Sequence, residues 1–273
     1  MMSESKEGKD AVLEKALSEL QSIEKDQQEL DKKVQKYRVE LTKPLFEKRR
    51  KIILEIPKFW YIVLAQHEDF QEYIQTEDMK YLEFIKDIYV EKSVDEKGEN
   101  EDPKSFALTI TFESPDAEIE DQTVTKYFYS EVDPDTGYES IKSYKADVKW
   151  PQEFDNINPN LIKENRKNDK WTHEEKKNYR IGMKSFFAFF GWTGSKEGKE
   201  YRYGEQLAEM LSEDIFPLAV DYYTLAAPGL GKNEEEEDAD SSSEELDIDS
   251  DDDGQDESDQ TNDNHSSKRQ KKE

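Results

Sequence analysis

Three features of this sequence could support catalysis or metal binding: its histidines, its carboxylates and a glycine-rich loop. The histidines His67, His173 and His265 lie far apart in the sequence and do not form the spacing of a metal-binding motif such as HExxH. Cysteine is absent, which excludes disulfide bonds, thiolate metal ligands and cysteine nucleophiles. We therefore interpret the histidines as structural residues and expect no metal ion or other cofactor.

The glycine-rich loop spans residues 191–199 and has the composition of a phosphate-binding loop. In that motif a glycine stands five residues before the glycine-lysine pair, but the residue five positions before Gly198 is Thr193. No predicted strand leads into the loop, and the chain contains no GxSxG sequence that would present a serine nucleophile. The sequence therefore predicts a non-enzymatic protein without catalytic residues.

The carboxylates are the remaining feature, and they dominate the charge of the chain. Asp and Glu number 66 against 39 Lys and Arg, which gives a formal net charge of −27. Such a field attracts basic partners and repels the phosphates of nucleic acids. We therefore expect a basic protein partner and no direct binding of nucleic acid.

Much of the acid is concentrated near the carboxyl end, where residues 234–263 include seventeen acidic residues and no Lys or Arg. The stretch opens with four glutamates that are candidates for binding a basic partner: Glu234, Glu235, Glu236 and Glu237. The stretch has so few apolar residues that their burial could not offset the entropy lost on ordering. Residues 228–273 are therefore predicted to form a disordered tail. The basic residues at its end predict a nuclear localisation signal: Lys268, Arg269, Lys271 and Lys272.

A second acidic group lies in a helix predicted over residues 204–225. Its members recur at steps of three, four or seven residues and could form one binding face for a basic partner: Glu205, Glu209, Glu213, Asp214 and Asp221. An ordinary solvated helix face has the same pattern, and for any one of these residues that alternative stays open.

A long amphipathic helix is predicted over residues 10–55. Apolar residues recur along it at steps of three and four, and we expect them to form a coiled-coil dimer interface: Leu13, Leu17, Leu20, Leu30, Val34, Tyr37 and Leu41. The helix would be about 65 to 70 Å long, more than the width of a compact domain of this size, so a second copy would bury the stripe. Pro44 removes one helical hydrogen bond, so a kink or a shift of phase is expected near Lys43.

The middle of the chain predicts an antiparallel sheet of four short strands, at residues 85–91, 105–112, 123–129 and 141–148. Helices are predicted to follow at residues 174–190 and 204–225, so the fold class is α+β. The chain has no apolar run of 18 residues and no signal-peptide core near its start. We therefore expect a protein that is neither secreted nor bound to a membrane.

Residues 37–67 read YRVELTKPLFEKRRKIILEIPKFWYIVLAQH and resemble the signature of the nucleosome-assembly-protein/SET family. A second block resembles the last two helices of that family: FFAFF at 186–190, Leu207, SEDIFP at 212–217 and Tyr222-Tyr223. Three further segments are similar to fungal SET-type members: WPQ at 150–152, INPNLIK at 157–163 and YRIGMK at 179–184. The resemblance covers residues 10 to 225.

The resemblance implies a homodimer, with the possibility that two dimers associate further. After a disordered start at residues 1–9, residues 10–56 would form the dimerisation helix, and residues 57–227 would form an α+β "earmuff" domain above an acidic cavity. Histones H3 and H4 would be the cargo, bound for nucleosome assembly in the nucleus. Glu213 and Asp214 fall on the acidic pair of the family.

The fungal branch of the family also implies a role as a non-catalytic cofactor of a histone H3 acetyltransferase. One alternative stays open at this point. A SET-like acidic regulator or phosphatase inhibitor, without a primary histone role, would share the fold and the acidic charge.

Overall fold

The structure is a computed structural model and describes residues 4–94, 102, 104–165, 171–196 and 198–226. The helices before the sheet are α1 (Glu4–Ile53), α2 (Phe59–Gln66) and α3 (Met79–Leu82). The strands are β1 (Ile85–Lys92), β2 (Phe106–Phe112), β3 (Gln122–Val132) and β4 (Glu139–Ser143). The helices after the sheet are α4 (Pro159–Glu164), α5 (His173–Gly182), α6 (Phe186–Phe189), α7 (Gly204–Glu209), a π-helical turn (Met210–Ile215) and α8 (Ala219–Ala226). This order confirms the predicted α+β class.

The sheet is antiparallel throughout, in the strand order β1-β2-β3-β4. Alternate residues of β2 are buried in the core: Phe106, Leu108, Ile110 and Phe112. Between them, the hydroxyls of Thr109 and Thr111 lie 2.9 and 3.1 Å from those of Thr125 and Thr123 on β3. One face of the sheet is therefore apolar and covered by helices, while the other is polar, as is common for antiparallel sheets.

Helix α6 fills the centre of the core with phenylalanines. The ring centroids of Phe187 and Phe112 lie 6.0 Å apart, as do those of Phe189 and Phe128. The amino end of α6 is fixed by the buried carboxylate of Asp78, which accepts hydrogen bonds from the Ser185 hydroxyl at 2.6 Å and the Phe186 amide at 2.9 Å. Burial raises the pKa of Asp78, and these donors oppose that effect.

The prediction of one helix over residues 174–190 is wrong, because two helices, α5 and α6, occupy this segment. The side chain of Ser185 accepts a hydrogen bond from the Phe187 amide and so starts a new helix. Gly182 ends α5 beside the Ile157 carbonyl oxygen, which would lie 1.8 Å from a β-carbon placed there. The two contacts force a turn that the apolar pattern alone does not reveal.

The prediction of one helix over residues 204–225 is also wrong. Helix α7 passes into the π-helical turn, in which the Phe216 amide donates to the Leu211 carbonyl at 3.1 Å, and α8 begins only at Ala219. Pro217 lies at the break and has no amide hydrogen to continue the helical ladder.

The fourth strand was predicted at residues 141–148 and is observed at Glu139–Ser143. Beyond Ser143 the backbone turns away from the strand ladder, and the Ala146 amide donates to the Phe190 carbonyl at 2.9 Å. Apolar residues after Ser143 therefore alternate because they pack beside α6, although they belong to no strand. The other three strands match the predicted positions to within a few residues.

Helix α1 is 50 residues long and runs through Pro44 without interruption. All seven apolar residues of the predicted stripe are between 51% and 63% exposed in the single chain. The helix also has a strict heptad seam, in which Leu13, Leu20, Val34 and Leu41 share one position with Gln27, and Ile23, Leu30 and Tyr37 share the other with Ala16. Ile23 was missed from the sequence, and Leu17 lies beside the seam. Pairing through this seam remains a prediction.

Lys126, on β3, is fully buried in the core. Its ammonium donates to the carbonyl oxygens of Tyr144, Phe190 and Trp192 at 2.9, 3.1 and 2.6 Å, one for each N–H. Burial lowers the pKa of Lys126 to about 7, and Glu200 weakly opposes the shift. The side chain therefore joins the end of α6 to the strand beside it.

We expect the substitutions Leu20→Glu and Leu30→Glu, made together, to abolish pairing of α1, because four like charges would meet in a dimer seam. Sedimentation velocity should show monomers or aggregates. The matched control is Lys25→Glu with Lys32→Glu, on the outer face of the same helix. If both double variants sedimented as the parent chain does, pairing through the seam would be contradicted.

We expect Lys126→Met to change the pH dependence of stability. Because the folded state loses the Lys126 proton near pH 7 and the unfolded state near pH 10.5, the parent chain gains stability as the pH rises between these values. The unfolding free energy of the parent, minus that of the variant, should therefore rise by about 1 kcal/mol per pH unit from pH 7.5 to 9.5. Urea unfolding measures it, with exposed Lys86→Met as the control. A constant difference would contradict the lowered pKa.

Candidate functional site

Three of the predicted acidic residues form one line on α7 and the π-helical turn. Glu205, Glu209 and Glu213 follow one another at steps of four, so they lie on the same side of the helix. The opposite side is buried in the core through Leu207 and Leu211. We refer to Glu205, Glu209 and Glu213 as the acidic row.

The acidic row lines a concave surface between α1 and the sheet. Its other walls come from α1, from the loop before β2 and from β2 to β4: Gln35, Lys104, Phe106, Ser130, Tyr138, Glu139, Ser140 and Ile141. We name this surface, together with the row, the acidic hollow. Aromatic and aliphatic side chains thus stand beside carboxylates, an arrangement that fits the long apolar stem and charged end of a lysine or arginine.

The carboxylates of the hollow differ in what they already bind. Glu205 accepts a hydrogen bond from the Ile141 amide at 2.9 Å, Glu213 pairs with Lys92, and Glu139 bonds Lys104 and Ser130. The side-chain carboxylate of Glu209 has neither a hydrogen bond nor an ion pair with any described residue. Glu209 is therefore the carboxylate most available to an incoming cation.

The electrostatic environment of Glu209 favours such a cation. Burial raises the pKa of Glu209 most, and the neighbouring charges of Glu205 and Glu213 raise it further. A bound lysine or arginine would relieve this repulsion and favour the charged form of Glu209.

Asp214 stands beside the row in sequence but makes different contacts. Its Oδ2 lies 3.2 Å from His67 Nε2, and its Oδ1 accepts a hydrogen bond from the Tyr222 hydroxyl at 2.9 Å. Burial, together with the hydrogen bond to Asp214, raises the pKa of Tyr222 to about 12. Asp214 thus ties the end of α2 and helix α8 to the π-helical turn. Asp221 is exposed on α8, apart from the residues that line the hollow.

The acidic row is held against α1 by Arg49. Its guanidinium donates to the carbonyl oxygens of Phe216 and Pro217 at 2.6 and 2.9 Å, where the π-helical turn gives way to α8. The guanidinium carbon lies 4.5 and 4.6 Å from the ring centroids of Phe46 and Phe216. Burial lowers the pKa of Arg49, although arginine remains charged at physiological pH.

A second arginine fixes α1 to the sheet. Arg50 Nη2 lies 2.5 Å from the Oδ2 of Asp87, whose side chain is only 3% exposed, and the guanidinium covers the ring of Tyr89 at 4.5 Å. The Asp87 carboxylate is buried while the Arg50 side chain is 38% exposed, so loss of Arg50 would leave a buried charge that its partner no longer compensates. Arg49 and Arg50 together therefore set the distance between α1 and the acidic row.

Sequence reasoning missed Glu139, Lys92 and Lys104 as residues of the site. Strand pairing brings two of them to the site, since Glu139 stands opposite Val132 in the β3–β4 hairpin and Lys92 opposite Phe106. Lys104 lies in the loop before β2 and pairs with Glu139. The only sequence signal was the turn at residues 133–137, which sets the hairpin register. The tail glutamates Glu234 to Glu237 and the basic residues Lys268 to Lys272 lie outside the described residues.

Metal binding and membrane insertion can be examined for the described part of the chain. There, no group of three or more His, Asp or Glu side chains could hold a metal ion. Of the predicted structural histidines, His67 contacts Asp214, His173 is exposed at the start of α5, and His265 lies outside the described residues. None of the helices in these segments combines the length and apolar character needed to span a membrane.

Comparison with known proteins finds a family profile and related sequences that agree with one another. A profile of the nucleosome assembly protein (NAP) family matches residues 54–226. Vacuolar protein sorting-associated protein 75 of Saccharomyces cerevisiae is 40% identical over 221 residues, covering 81% of each chain. NAP1-related protein 2 of Arabidopsis thaliana is 28% identical over 223 residues, covering 78% of each chain.

Solved structures agree with these relatives. The crystal structure described as the Vps75 histone chaperone matches with a TM-score of 0.67 at 39% identity, covering 78% of this chain and 97% of that chain. The crystal structure of Ccp1 matches with a TM-score of 0.57 at 28% identity, covering 80% and 98%. These matches confirm the resemblance found in residues 37–67 and 186–223. The chain therefore belongs to the nucleosome assembly protein family.

Proposed function

We propose that this protein is a non-catalytic histone chaperone that binds histones H3 and H4 through the acidic hollow and the acidic residues 234–263. The observation that carries the proposal is the acidic row, with the Glu209 carboxylate lacking a described partner, in a chain of the nucleosome assembly protein family. A solved relative with 39% identity is itself described as a histone chaperone.

Shielding of basic cargo explains the activity without any bond-making step. Histones bind DNA largely by neutralising phosphates, so a competing polyanion prevents their non-specific contacts. In the hollow, a lysine or arginine would place its stem against Tyr138 and Ile141 and its charge near Glu209. The seventeen acids of residues 234–263 would add a sequence-tolerant field around the same cargo.

We further propose a homodimer joined through the α1 seam. Two hollows in one particle would raise the effective concentration of acid around a bound histone. The exposed apolar seam supports pairing, because an isolated helix 50 residues long with such a stripe would leave it in water. Whether two dimers associate further is a separate prediction from the family.

The acetyltransferase role is the finer part of the proposal. The protein would hold histone H3 for a partner acetyltransferase and contribute orientation rather than a catalytic group. Nuclear localisation through Lys268, Arg269, Lys271 and Lys272 would place it with both partners. This role rests on the resemblance of residues 150–152, 157–163 and 179–184 to fungal SET-type members.

The triple substitution Glu205→Gln, Glu209→Gln and Glu213→Gln tests the hollow. Glutamine keeps the acceptor that Glu205 offers to the Ile141 amide, so the fold should be retained while three charges are lost. We expect the affinity for an H3–H4 complex at about 150 mM salt to fall about tenfold, because these pairs are partly desolvated. Fluorescence titration with labelled histones measures the change.

The matched control removes three exposed charges away from the hollow, through Glu14→Gln, Glu29→Gln and Glu164→Gln. Its affinity should change less than about twofold. Equal weakening in both variants would show that binding follows total charge alone and would contradict the site. If the parent chain ignored H3–H4 at this salt but captured a phosphatase, the chaperone function would give way to the regulatory alternative.

A further inference from the structure

One region of this acidic chain has the opposite charge. Residues 163–202 contain eleven Lys and Arg against six Asp and Glu, although the whole chain has a net charge of −27. The described part of this region forms one side of a groove, and the segment after β4 forms the other side. Above the buried rings of Phe187 and Tyr201, its lining includes four lysines and two partly exposed aromatic residues, which we call the lysine groove: Lys145, Trp150, Lys163, Tyr179, Lys196 and Lys199.

The lysines of this groove are available to a ligand. All four are exposed, and Lys163, Lys196 and Lys199 have no described carboxylate within 4.0 Å. Lys145 pairs at 3.1 Å with Asp147, whose side chain is 95% exposed, so this pair adds little stability. Glu200, a carboxylate that also lines the groove, accepts hydrogen bonds from Thr193 and Gly194 and is therefore occupied.

The aromatic residues of the groove do not offer free faces for stacking. The Trp150 ring packs against Phe187 at 5.7 Å, and Tyr179 meets Trp171 edge-on at 4.9 Å. Lys163 covers the Tyr179 ring at 5.2 Å. Single-stranded nucleic acid is usually bound by unoccupied aromatic platforms and often by arginine, and the described lining residues provide neither.

We propose that the lysine groove binds an acidic peptide segment of a partner protein. Lysine ammoniums act as point charges that pair with carboxylates in many orientations, which suits an extended acidic chain. A histone has the wrong charge for this groove, so the two surfaces would take different partners on one subunit. Ionic screening over about 8 Å allows a local positive groove to act within a negative protein.

The experiment uses the full chain and a fluorescein-labelled peptide of twelve residues composed of Asp, Glu and Ser, followed by anisotropy at low salt. We expect Lys163→Gln, Lys196→Gln and Lys199→Gln together to weaken peptide binding at least about fivefold. In the parent chain, the peptide should shift the indole N–H resonance of Trp150 and leave that of buried Trp60 unchanged.

The control, Lys25→Gln with Lys51→Gln and Lys86→Gln, removes the same charge from exposed positions outside the groove and should change affinity less than about twofold. Equal weakening in both variants would overturn the groove as the site. Tighter binding of a twelve-nucleotide single-stranded DNA, lost in the groove variant, would assign the groove to nucleic acid instead. Peptide binding seen only after removal of residues 232–273 would make the acidic stretch of the chain itself the occupant.

Discussion

The guanidinium of Arg49 joins the long helix to the segment that presents the acidic row. The carbonyl oxygens of Phe216 and Pro217 end a helical stretch that Pro217 cannot continue, and Arg49 donates to both. Its flat cation also contacts the rings of Phe46 and Phe216, which meet each other edge-on. Because arginine stays charged at physiological pH, this joint holds the walls of the acidic hollow at a fixed distance.

Repulsion within the acidic row destabilises the helical segment that carries it, and packing on the opposite side of that segment offsets the cost. Like charges four residues apart destabilise a helix by a few tenths of a kcal/mol per pair, and burial of part of Glu209 adds to that cost. The buried side chains of Leu207, Leu211 and Ile215 on the opposite side of the same segment offset it. Such a conflict between local preference and the fold is typical of a binding surface, where a partner of opposite charge completes the interaction.

Sequence periodicity predicted those elements in which the same face is buried, or apolar, from one end of the element to the other. Three strands and the long helix are of this kind, since β2 alternates from Leu108 to Phe112 and α1 repeats every seven residues. Breaks fixed by distant contacts were not predictable, because Asp78 and Ser185 start α6 through contacts absent from the local pattern. For the site, helical spacing found the acidic row but could not separate it from Asp214, whose partners lie about 150 residues earlier and eight residues later in the chain.

The central claim is that basic cargo is bound in the concave acidic hollow rather than over the surface as a whole. Zero-length carbodiimide coupling of the full chain to H3–H4, followed by mass spectrometry, tests it directly because only carboxylates in contact with lysines are joined. If the cargo is bound in the hollow, histone lysines should couple to Glu209 and its neighbours in the acidic row, and salt should suppress the coupling. Coupling confined to exposed acids outside the hollow, such as Glu72 and Glu118, with none at the acidic row, would contradict it.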